Sequence, residues 1–100
     1  MRRLGLLFML AATAALAGEW TGVISETNCG AKHGDASDKS VACVKRCIKG
    51  GAKPVLVTDG KVVNITNTDK VPEELYGQKV DVTGELKDGV LTLDTISAAK

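Results

Sequence analysis

The stretch GQKVDVTGELKDGVLTLDTIS (Gly77–Ser97) decides the fold. Val80 and Val82 alternate with Lys79, Asp81 and Thr83, and Leu91 and Leu93 alternate with Thr92 and Asp94. A period of two places every second side chain on one face, the signature of a strand with one buried side. Lys87-Asp88-Gly89 reverses the chain between the two runs, so Gln78–Leu86 and Val90–Ile96 form a hairpin. Gly84 interrupts the first run and predicts a bulge or tight bend. Bends of this kind let a small sheet close into a barrel.

The same grammar extends toward the N-terminus. Pro54–Thr58 and Lys61–Thr66 are rich in Val and Ile and flank Asp59-Gly60, a two-residue hairpin turn. Glu19–Glu26 reads as a first strand, with Trp20 as a plug at the barrel end. Ser40–Lys49 reads as a short helix, capped by Asp38 or Ser40 and stopped by Gly50-Gly51. Its Val41, Val44 and Ile48 face the core, Cys43 and Cys47 sit at the edge of that stripe, and Lys39, Lys45, Arg46 and Lys49 form a solvated basic face. Pro72–Leu75 forms one helical turn, and the polar segment Thr27–Lys39 is expected to lack regular structure. Five short strands and one short helix make a mainly β protein, a small closed or partly open barrel.

Arg2 and Arg3, the apolar run Leu4–Leu16 and the small residues Ala15 and Ala17 form an export-signal pattern. Cleavage is expected after Ala17, which divides the chain into a signal peptide, 1–17, and one domain, 18–100. The apolar run is shorter than the ~20 residues of a spanning helix. The mature chain is therefore expected not to span a membrane and to reside in the periplasm or outside the cell.

The hairpin pattern V-x-V-x-G-x-L followed by L-x-L-x-x-I resembles the last two strands of bacterial OB-fold proteins. The longer arrangement is similar to a group of short exported bacterial proteins of uncharacterised function. It is carried by WTGVIS (Trp20–Ser25), CGAKH (Cys29–His33), ACVKRC (Ala42–Cys47), GAKPVLV (Gly51–Val57) and GKVV (Gly60–Val63). The resemblance spans nearly all of residues 18–100. It implies a five-stranded OB-like barrel and brings no activity with it. Oligonucleotide-binding barrels carry stacking aromatics on their central strands; here Val62, Val63 and Ile65 stand instead.

Composition narrows the function. The chain has a formal charge of +1 and 3% aromatic residues. Nucleic-acid binding calls for excess positive charge and stacking surfaces, so it is not expected. The chemistry that remains lies in Cys29, His33, Cys43 and Cys47, which hold every cysteine and the one histidine in the spacing C-x3-H-x9-C-x3-C. Cys43 and Cys47 lie one helical turn apart, about 40° round the axis at about 100° per residue. Four N/S donors suit a tetrahedral ion such as zinc, and three thiolates also suit copper(I).

A structural disulfide is the competing expectation. Cys29 paired with Cys43 or Cys47 would staple a small exported domain and leave one thiol over. A Cys43–Cys47 bond is disfavoured by the parallel side chains of one helical turn. The sequence thus supports a non-enzymatic metal-binding module with a structural or carrier role. The alternative is a disulfide-stapled barrel binding a saccharide, a peptide or another envelope component. A thiol enzyme or redox sensor, which needs one cysteine with a depressed pKa, ranks third because the chain is small and offers no other catalytic groups.

Overall fold

The structure is a computed structural model and describes residues 16–33 and 35–99. Five strands close a barrel: β1 (Leu16–Glu26), β2 (Pro54–Thr58), β3 (Lys61–Ile65), β4 (Lys79–Lys87) and β5 (Val90–Ala98). Their order round the barrel is β1-β2-β3-β5-β4, with β4 returning to β1. All pairings are antiparallel except β3 with β5. One helix, α1 (Asp38–Lys49), lies in the connection between β1 and β2. The chain is therefore the small, mainly β, five-stranded barrel with one short helix that its sequence predicts.

Both Asp-Gly turns form as expected. Asp59 and Gly60 have φ of 52° and 74°, and Asp88 and Gly89 have φ of 53° and 79°. Positive φ at both central residues matches the right-handed twist of the strands they join. The register between β4 and β5 slips at Gly84: Thr83 pairs with Thr95, whereas Gly84 pairs with Leu93. Asp94 is the extra residue, and this is the bulge expected at that glycine.

The interior is aliphatic. Ile24, Leu56, Ile65, Val71, Val80, Val82, Leu91 and Leu93 form the buried cluster. Trp20 is half-buried against it, together with Val63, Leu75, Tyr76, Leu86 and Ile96. The parallel β3–β5 seam is short, pairing Asn64 with Val90 and Ile65 with Leu91. Asn67 lengthens it with its side chain. Its Nδ2 donates to the Leu93 carbonyl at 2.9 Å, and its Oδ1 accepts from the Leu93 N–H at 2.8 Å. The amide thus stands in for one more residue of ladder.

Three local expectations need correction. First, the segment expected to lack structure contains a 3-10 turn, Gly30–His33, and the helix starts at Asp38. Secondly, Ser37 caps α1, its hydroxyl accepting from the Ser40 N–H at 3.2 Å. Asp35 supports the cap by accepting from the Ser40 hydroxyl at 2.7 Å and from the Ser37 N–H at 3.2 Å. The Ser40 bond is the main reason the Asp35 carboxyl is held below the usual carboxylate range. Position 37 wins over 38 and 40 because the turn at Asp35 and Ala36 presents that hydroxyl to the first free N–H groups of the helix. Thirdly, β1 begins at Leu16, where it pairs with Leu86, and Ala17 pairs with Glu85. Leu16 is 62% exposed, so these residues extend the ladder without adding to the core. The rest of the expected export signal, and cleavage at it, lies outside the described residues.

Candidate functional site

The connection between β1 and β2 is the largest departure from a bare barrel. Its ends are clasped together. The Thr27 N–H donates to the Lys53 carbonyl at 3.1 Å, and the Lys53 N–H donates back to the Thr27 hydroxyl at 3.3 Å. Between these residues lie all three cysteines and His33.

Part of the connection folds over the outside of the barrel. The 3-10 turn lies across β1, β2 and β3. Ser25 fixes it there by donating from its hydroxyl to the Gly30 carbonyl at 2.6 Å. Val55 and Val57 have opposite parity to the core residue Leu56, yet they are buried as well. The outer side of β2, part of the face that OB barrels commonly offer to ligands, is thereby covered.

Helix α1 docks through a close approach. An added Cβ at Gly77 would lie 2.6 Å from the Cα of Val41, and Gly77 has φ +79°. The Gly77 N–H also donates to the Ile24 carbonyl at 2.7 Å. These contacts seat the helix against the turn before β4 and bury Val44 completely. Cys43 and Cys47 are half-buried beside it, while Lys39, Lys45, Arg46 and Lys49 are exposed as expected.

The chemistry converges on one end of β1. Glu26 stands two residues beyond Ile24, on the barrel-facing parity of the strand, and it is fully buried. Its Oε1 accepts from the Cys29 N–H at 2.6 Å. Its Oε2 has no hydrogen-bond partner. Burial, then the negative charge of Glu26, then Cys43 push the Cys47 thiol above its ordinary value. This environment runs against nucleophilic use of Cys47 at neutral pH.

A pH dependence follows. In metal-free, reduced protein, alkylation of Cys47 by iodoacetamide is expected to reach half its maximal rate above ~8.5, the free-thiol reference. A midpoint at or below that reference would contradict the environment described here. The sign for stability is also set. The unfolded chain loses the Cys47 proton first, so the folded state binds more protons above the ordinary thiol value. Stability therefore falls as pH rises from that value through the raised one.

No protein-family model, curated protein or solved structure matches this chain. Of the expected ligands, Cys43 and Cys47 are brought together. Cys29 begins the turn tied by its backbone to Glu26, and all three thiols are free. His33 ends the 3-10 turn; its side chain lies outside the described residues. Among the described residues, no group of three or more His, Cys, Asp or Glu side chains is arranged to hold a metal ion, and no helix is long and apolar enough to cross a membrane. Glu26 had no assigned role in the sequence reading. The available signal was its parity with Ile24, which puts a carboxylate on the core side of a strand.

Proposed function

We propose that the domain is an exported, non-enzymatic module that binds one transition-metal ion, zinc or copper, through Cys29, His33, Cys43 and Cys47. The observation that carries this reading is the placement of Cys43 and Cys47, both half-buried and four residues apart, on one turn of α1. Paired thiols of this kind are a ready-made half of a tetrahedral site. The other half comes from the turn at residues 29–33, which the same clasped connection supplies. Binding has to draw this turn onto the thiol pair, since three donors do not already surround one point. Such ordering on binding is common where metal affinity supports the local fold.

Titration of the reduced domain with zinc and with copper(I), each against a chromophoric chelator, tests the proposal. One equivalent is expected to bind. Cys43→Ser with Cys47→Ser is expected to weaken binding by more than the roughly 10–100-fold typical of losing an outer-sphere partner. Wild-type protein that competes for neither ion would end the proposal. Thiol counting on native exported protein separates the disulfide alternative. Three free thiols after metal removal fit the metal site, whereas one free thiol fits a Cys29 bridge to Cys43 or Cys47 and a stapled interaction domain.

A further inference from the structure

We propose that the groove between the C-terminal half of α1 and the turn before β4 docks a short acidic segment of a partner protein, in which carboxylates flank an apolar side chain. The proposal stands independently of the metal-binding reading.

Helix α1 carries Lys39, Lys45, Arg46 and Lys49 against the single acid Asp38, in a chain whose formal charge is +1. Positive charge is therefore gathered on this helix. Gly77 meets α1 early, at Val41. Farther along the helix lies a groove of about 670 Å³, lined by Lys45, Arg46, Ile48 and Lys49 of α1 and by Glu73 and Tyr76 of the facing turn. That volume falls within the ~300–1,000 Å³ of ligand sites. Ile48 and Tyr76 are half-buried, and Tyr76 packs on the core cluster. They give the groove an apolar floor on a fixed base. Lys45, Arg46 and Lys49 are exposed. Among the described residues their side chains form no ion pair or hydrogen bond, not even with Glu73. Arg46 and Lys49 lie in the last turn, where cations favour the helix dipole. Lys45 lies before that turn, so support of the helix does not account for it.

Charge and lining together decide the occupant. Three unpaired cations around an apolar floor complement an anion that also carries an apolar group. Glu73 narrows the class. A uniformly anionic polymer, such as a sulfated glycan, would set its charge against this carboxylate. A polypeptide instead brings backbone N–H donors, which a carboxylate accepts. A flat anionic bilayer would reach the exposed basic side chains and leave the half-buried Ile48 and Tyr76 unused. An acidic segment with one apolar residue between its carboxylates uses the whole lining: its side chain takes the floor, its carboxylates the three cations, and its backbone Glu73.

The test follows the fluorescence anisotropy of a labelled peptide, Glu-Glu-Leu-Glu-Glu, as the protein is added. Saturable binding that weakens with salt is expected. Serine in place of the leucine is expected to weaken it about tenfold, the effect of one buried leucine side chain. Lys45→Gln with Lys49→Gln is expected to weaken it ~10-fold or more. The same change at Lys70 and Lys87, exposed and outside the groove, is expected to stay within about twofold of wild type, since distant exposed charges are screened. A wild-type protein that does not bind the peptide would overturn the proposal. Equal losses in the two lysine pairs, or equal binding of the serine peptide, would replace the groove with general charge attraction. Tighter binding to heparin or to phosphatidylglycerol vesicles than to the peptide would overturn the class of partner. Should the lysine variants not fold, backbone amide NMR of the wild-type protein decides. Peptide-induced shifts confined to residues 45–49 and 73–76 support the site, and shifts centred elsewhere overturn it.

Discussion

Gly22→Ala is expected to destabilise the barrel severely. Gly22 pairs with Val80 on β4, and the next residue, Val23, is the first to pair with β2 as well. β1 therefore bends from one neighbour to the other at this point, as a single strand must if it is to close a small barrel. A Cβ here would lie 2.3 Å from the Val57 carbonyl oxygen and 3.0 Å from the Leu56 Cδ1. The leucine end can rotate away; the β2 backbone cannot move without breaking its own ladder. Overpacking of this kind costs about 1–3 kcal/mol and more where backbone is struck. The lower chain entropy of alanine in the unfolded state returns only about 0.4–1 kcal/mol. Each net kcal/mol should lower the Tm of a domain this size by roughly 4–8 °C. Gly50→Ala is the control, because a Cβ there meets only ordinary contacts, at 3.5 Å from the Cys47 carbonyl. Thermal unfolding in which both variants match wild type would show that β1 does not cross so closely.

The second large effect is expected from Gly77→Ala, and it joins the fold to the site. The new methyl would strike the Cα of Val41 at 2.6 Å and would have to tolerate φ +79°, where a side chain is strained. The barrel strands are not touched, so the cost falls on the docking of α1. Cys43 and Cys47, which ride on α1, then move together relative to the 29–33 turn. Urea unfolding should show a loss of about 1–3 kcal/mol, and metal affinity should fall in the same variant although no ligand is changed. An unchanged zinc titration in a destabilised variant would separate helix seating from binding and count against the arrangement proposed.

The strands and their turns were legible because their signals are local. Two-residue alternation in Val80–Val82 and Leu91–Leu93, and Asp-Gly pairs with positive φ, act over a few neighbouring residues. Gly84 was legible as a bulge for the same reason. The thiol pair also followed from spacing alone, since one helical turn brings residues four apart to the same side. Ser37 as the cap was missed because three hydroxyl or carboxylate residues competed for that role within four positions. The choice among them depended on the turn at Asp35 and Ala36.

By itself, then, the amino-acid sequence determined the barrel class, the two tight turns, the short helix and the pairing of Cys43 with Cys47, because each is written in periodicity or in one turn of chain. Only the tertiary structure decided that Gly22 and Gly77 are crossing points, that the connection covers the outer side of β2, and that Glu26 ends buried with one oxygen unsatisfied. These features arise where segments distant in the chain are pressed together. Exclusion of water and contact between backbones then set the energy of each residue, and neither can be read from its neighbours in sequence.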